Sequence, residues 1–92
     1  MAKLDSDFVR SELESTSWKQ EGDTIILDQE FGGFEEAIQY VNRVAGIAEV
    51  ANHHPDLLVH SWNKVRVTCW THSEGGVTDA DLKLARQIDE LA

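Results

Sequence analysis

Apolar positions recur along the chain with two periods. From Thr24 to Phe31 they alternate, with Ile25, Leu27 and Phe31 on one side and Thr24, Asp28 and Glu30 mainly on the other; only Ile26 breaks the pattern. Val65 to His72 alternates most cleanly, with Val65, Val67, Cys69 and Thr71 on one face and Arg66, Thr68, Trp70 and His72 on the other. Trp18–Gln20 and Leu57–Trp62 read as the strands that precede these two. Glu21-Gly22-Asp23 and Asn63-Lys64 are the expected hairpin turns. Helical spacing appears in three other places. Leu4, Phe8, Val9 and Leu13 form a stripe over Leu4–Ser15, with Asp5 or Ser6 as cap. Phe34, Ala37, Ile38, Val41, Ala45 and Ala48 form a second stripe over Phe34 to about Val50. Leu84, Ala85, Ile88 and Leu91 form a third, opened by Thr78-Asp79-Ala80-Asp81, which matches a capping box.

The predicted order is helix, two strands, helix, two strands, helix. Local hairpins imply an antiparallel sheet, so the expected fold class is α+β: a four-stranded antiparallel sheet with three helices packed on one face. At 92 residues, without a repeat or linker, a single domain over residues 1–92 is expected. So small a core gives limited stability, which favours self-association.

Composition narrows the function classes. The net charge of −9 offers no basic stripe for phosphates, so nucleic acid is not expected as a partner. No apolar run approaches the ~20 residues of a membrane span, and Met1 to Arg10 is too polar for a signal peptide. A lone cysteine, Cys69, excludes an internal disulfide and fits a reducing compartment. A soluble, cytoplasmic protein is the expectation.

The least ordinary stretch is Glu49-Val50-Ala51-Asn52-His53-His54-Pro55. Adjacent histidines precede the only proline, and His72 lies further on at the expected end of a strand. Proline disfavours helix in the residue before it, so the pair falls in the loop after the long helix. Histidine ordinarily exchanges protons near neutrality, with a reference pKa of about 6.5. The group therefore suits acid–base work or a metal. Three imidazoles could bind zinc with an open position. Yet there is no cysteine pair and no His-x₃-His spacing, and adjacent histidines chelate awkwardly, so no metal site is expected. Glu49 could orient a histidine. Trp70 shares an expected strand face with His72 and could stack on a planar ligand. Taken singly, each of these residues also has an ordinary role: His53 and His54 in a solvated turn, His72 on a polar sheet face, Asp81 in the capping box.

The spacing Glu49, three residues, His53-His54-Pro55, six residues, Trp62, nine residues, His72, eight residues, Asp81 resembles the pattern of the pterin-4a-carbinolamine dehydratases. Trp18-Lys19, Asn63-Lys64-Val65, Thr71-His72 and the Thr78-x-x-Asp81-Leu82 segment are also similar to that family. The resemblance implies three helices against a four-stranded antiparallel sheet. It implies dehydration of 4a-hydroxytetrahydropterin to quinonoid dihydropterin without metal or organic cofactor, and assembly as a homodimer or homotetramer. Its active-site histidines correspond to His53, His54 and His72. Substrate contacts correspond to Asn52, His53 and His54, and to Trp70, Thr71, His72 and Ser73, with Glu49 and Asp81 supporting. The chemistry suggests proton transfer by His53 and His72 and positioning by His54. Three positions depart from the family's habit: Asn52 where Asp is frequent, Leu57 where an aromatic is frequent, and Trp70 where a small polar residue is frequent. A non-catalytic protein-binding or dimerisation module of the same fold is the alternative, and would not need the histidines.

Overall fold

A computed structural model describes residues 2–91. The chain runs α1 (Ser6–Leu13), β1 (Lys19–Glu21), β2 (Thr24–Glu30), α2 (Phe34–Ala51), β3 (Asp56–His60), β4 (Lys64–Cys69), a 3₁₀ turn (His72–Glu74) and α3 (Asp79–Asp89). The strands form one antiparallel sheet in the order β1-β2-β4-β3. The three helices cover one face, giving the expected α+β architecture.

The alternation in β2 and β4 explains the layer. Ile25, Leu27, Val65, Val67 and Cys69 point to the helices and are almost wholly buried. Val9 and Leu13 of α1, Ala37 and Val44 of α2, and Leu82, Leu84, Ala85 and Ile88 of α3 meet them. Trp18, just before β1, joins this core and donates from Nε1 to Asp89 Oδ1 at 2.8 Å. Asp5 caps α1, accepting from the backbone N–H groups of Asp7 and Phe8. The first hairpin turns on Gly22, whose φ of +58° is the left-handed region glycine tolerates.

Some expectations shift. The stripe of α2 buries Ala37, Val44 and Ala48, with Tyr40, Val41 and Ile47 partly covered, whereas Phe34 is 56% exposed and Ala45 faces out. Several small and apolar residues on both flanks blurred that periodicity. Phe8 is likewise exposed. The second hairpin turns at Ser61-Trp62, both at positive φ, and not at Asn63-Lys64. Pairing of His60 with Lys64 puts Lys64 in the strand, and Asn63 is held at β2's end by a 3.0 Å bond from Nδ2 to the Phe31 carbonyl. The strand expected to reach His72 stops at Cys69. The last pairs of its neighbours are Ile25 with Cys69 and Asp56 with Thr68; past them β2 has only Thr24, its first residue, so no strand remains opposite Thr71 and His72. Thr71 instead bridges Gly76 across the 3₁₀ turn.

Burial sets an alkaline limit on this core. Loss of solvent raises the Cys69 thiol well above its ordinary value. Burial, aided by the Asp89 charge, pushes the Tyr40 phenol up to about 12. The unfolded chain therefore loses these protons first. Stability from this source is intact below the ordinary thiol value and falls as pH climbs through the raised values. Denaturant melts should show a decline beginning near pH ~9. A thiol reagent at pH ~8 should label Cys69 only after unfolding.

Candidate active site

The C-terminus of α2 positions the histidine pair. Asn52 takes the left-handed conformation with φ +52°, and its N–H bonds back to Ala48 and Glu49 carbonyls. The His53 N–H closes the same cap on Ala48 O at 3.2 Å. Asparagine is, after glycine, the residue that most readily fills this position, which gives Asn52 a backbone role beside the pair. With the chain reversed there, His53 points inward and His54 outward.

His53 Nε2 donates to Asp81 Oδ1 at 2.5 Å. Asp81 is fully buried in the first turn of α3. Its Oδ2 accepts from the Thr78 backbone N–H at 2.9 Å and from Thr71 Oγ1 at 2.8 Å. The capping box expected from Thr78 and Asp81 is present, and the same carboxylate that caps α3 also holds His53. Capping and histidine placement are one structural unit here. His54 Nε2 bonds Glu49 Oε1 at 2.6 Å on the surface, where 59% of the histidine side chain is exposed. Glu49 therefore pairs with the outer histidine.

His72 enters from the other side, in the 3₁₀ turn after β4. Its ring packs on Trp70, with centroids 4.0 Å apart and planes 36° from parallel. Neither ring nitrogen of His72 has a hydrogen-bond partner among the described residues. Asn52, His53, His54, Trp70, Thr71, His72 and Ser73 together line a shallow cleft of about 330 Å³. All seven residues expected to contact substrate thus share one cavity, with Asp81 directly behind it. The three imidazoles do not converge on one point: His53 turns to Asp81, His54 to Glu49 and His72 to Trp70. Among the described residues no group of three or more His, Cys, Asp or Glu side chains is arranged to hold a metal ion. What sequence reasoning missed is Thr78. Its capping role was legible, but its hydroxyl contact with Thr71 at 2.8 Å depends on the Thr71–Gly76 bridge, which no local pattern announces.

A larger groove of about 590 Å³ runs between β2, α2 and the end of α3, past Gln29, Tyr40, Arg43 and Asp89. It is lined by no histidine and no buried carboxylate, unlike the smaller cleft. Among the described residues no helix is long and apolar enough to cross a membrane.

Comparison with known proteins places the chain in a family. The family model for pterin 4 alpha carbinolamine dehydratase matches residues 2–91. A relative from Thermomicrobium roseum, provisionally named a pterin-4-alpha-carbinolamine dehydratase, is 43% identical over 93 residues, covering 100% of this chain and 99% of its own. One from Sulfurisphaera tokodaii with the same provisional name is 42% identical, covering 99% and 98%. The crystal structure of a transcriptional coactivator/pterin dehydratase from Brucella melitensis superposes with a TM-score of 0.89 at 31% identity, over 98% of each chain. A pterin dehydratase-like protein identified as a RuBisCO assembly factor in the alpha-carboxysome shares the fold, with a TM-score of 0.64 at 17% identity over 82% of this chain and 86% of its own. The chain belongs to the pterin-4a-carbinolamine dehydratase family.

Proposed function

We propose that this chain, acting as one domain over residues 1–92, is a 4a-hydroxytetrahydrobiopterin dehydratase, a hydro-lyase of tetrahydrobiopterin recycling in the cytoplasm. The observation that carries this reading is the His53–Asp81 pair behind a cleft that also holds His72, whose ring nitrogens have no hydrogen-bond partner among the described residues. Family membership supplies the substrate class.

The reaction breaks the C4a–O bond. An acid protonates the departing hydroxyl, which leaves as water, while a base removes a proton from the adjoining ring nitrogen, whose electron pair forms the new double bond. The products are quinonoid dihydropterin and water. His53 donates a hydrogen bond from Nε2–H to Asp81, so in the neutral ring Nδ1 carries a lone pair and suits the base. His72 is the acid, and Trp70 holds its ring plane. His54, tied to Glu49 at the rim, positions the pterin together with Asn52 and the Trp70–Ser73 segment. Imidazoles supply both proton transfers, so the reaction needs no metal or organic cofactor.

Two surface features favour a second, compatible reading as a protein-binding module. Phe34, Leu58 and Trp62 are 56%, 54% and 62% exposed, and β1 and β3 leave sheet edges open. Self-association as a homodimer or homotetramer is the simplest use of these surfaces.

Purified protein mixed with 4a-hydroxytetrahydropterin should accelerate water loss, followed optically. No acceleration over buffer anywhere in the pH range of about 6–8, where imidazoles ordinarily exchange protons, would leave the binding module as the better reading. His53→Ala and His72→Ala should each lower kcat by roughly 10²–10⁴-fold, with His54→Ala acting mainly on KM. Full activity in His72→Ala would remove it from the proton transfers. Light scattering at micromolar concentration should give at least a dimeric mass; a monomer would refute self-association.

A further inference from the structure

We propose that the groove of about 590 Å³ between β2, α2 and the end of α3 is a second binding site. Its ligand is an uncharged planar heterocycle with a lactam edge, that is, a ring N–H beside a ring C=O. The proposal does not depend on the dehydratase reading.

The groove is a gap in the helical layer. α1 packs mainly on β1, and α2 mainly on β4 and β3, which leaves the far half of β2 between them. Leu27, Gln29 and the following Phe31 form its floor, and Ile88 and Leu91 add apolar surface. Its volume lies within the usual range for small-molecule sites, about 300–1,000 Å³.

Two polar side chains in this gap lack partners. The helix-facing row of β2 runs Ile25, Leu27, Gln29, and only Gln29 is polar, although it sits opposite Val65 of the core. An amide on an inward row calls for a hydrogen bond. Gln29 is half-buried and has none among the described residues. Tyr40 lines the same groove, with its ring 5.0 Å from that of Phe31, and its hydroxyl is likewise unbonded among the described residues. Burial, aided by the Asp89 charge, keeps this phenol protonated at neutral pH, so it is available as a donor. Asp89 accepts from Trp18 Nε1–H through Oδ1 at 2.8 Å, and its Oδ2 has no partner among the described residues.

These groups select a ligand class. A carboxamide offers one donor and one acceptor in a plane, which matches the C=O and N–H of a lactam by two parallel hydrogen bonds. Phe31, Tyr40 and Leu27 suit the faces of an aromatic ring. Charge disfavours an ionised ligand, because an anion would meet Glu36 and Asp89 and a cation would meet Arg43.

Carbostyril, a bicyclic lactam, and quinoline, which has the same ring skeleton without the lactam edge, separate the terms. Both are uncharged at neutral pH. In proton–nitrogen NMR spectra of the full chain, carbostyril should move the Gln29 carboxamide and Trp18 indole N–H signals saturably. Quinoline should bind roughly tenfold more weakly. Gln29→Leu should abolish that preference and leave kcat and KM for dehydration within about twofold. Tyr40→Phe keeps the ring, deletes the hydroxyl and should weaken carbostyril roughly threefold. Absence of saturable binding overturns the proposal. So do equal affinities of the two compounds for wild type, signal changes confined to the cleft of His53 and His72, or a lactam preference that survives Gln29→Leu. Should Gln29→Leu fail to fold, the wild-type comparison and Tyr40→Phe still decide. A lactam preference in a protein without dehydratase activity would sustain this site and sink the functional reading alone.

Discussion

Asp81 is a carboxylate with no exposed surface in a domain too small to hide charge cheaply, and three donors converge on it: the Thr78 backbone N–H, the Thr71 hydroxyl and His53 Nε2–H. Breaking a buried ionic arrangement by removing one partner typically destabilises by ~3–5 kcal/mol, because the remaining charge is left uncompensated. That asymmetry ties together parts of the chain distant in sequence. The N-terminus of α3, the turn after β4 and the loop after α2 must all arrive in register for the carboxylate to be satisfied. The cleft forms where they meet. Folding and site assembly are therefore the same event at this end of the sheet.

The sheet supplies the rigidity behind that junction. Val65, Val67 and Cys69 anchor β4 against the helices with almost no exposure, so the segment leaving Cys69 starts from a fixed point. Thr71 reaches Asp81 only because the chain then folds back on Gly76 instead of extending the sheet. On the other side, the helix cap at Asn52 fixes the angle at which His53 departs from α2. Two histidines approach one cleft from independent supports, and they are held differently: His53 donates from Nε2 to buried Asp81, while His72 lies on an aromatic wall with neither ring nitrogen hydrogen-bonded among the described residues.

How much of this the sequence announces depends on the range of the interaction. The capping box at Thr78–Asp81 and the cap at Asp5 are contacts within four residues, and both are plain from residue type. The alternation in β2 and β4 is equally local, and so the layer and its inward face were legible. The α2 stripe was less so: Phe34, Ile38 and Ala45 are apolar but lie off the buried line through Ala37, Val44 and Ala48. Composition does not say which flank of an apolar helix meets the sheet. Strand ends were hidden for a different reason. His72 continues the alternation perfectly, yet a strand ends where its neighbours end, and neighbours belong to other parts of the chain. The double role of Asp81 shows the same limit, since a capping residue that also grips a histidine looks in sequence like a capping residue.

The positions that depart from family habit can be judged by the same standard. Asn52 occupies a left-handed cap, φ +52°, where the backbone demand is explicit and asparagine meets it; a carboxylate there would add charge to the rim without improving the turn. Trp70 is a substitution of another kind. It sits just past the end of β4, half-buried, and lays its ring on His72 at 4.0 Å. A small polar residue could not hold the imidazole in this way, so in this chain the His72 side of the cleft is ordered by stacking while the His53 side is ordered by hydrogen bonds. Stacking fixes the ring plane but leaves both nitrogens open, and hydrogen bonding fixes the proton as well. The cleft thus has one histidine tied through Nε2 to a buried carboxylate and one held by an aromatic face alone among the described residues.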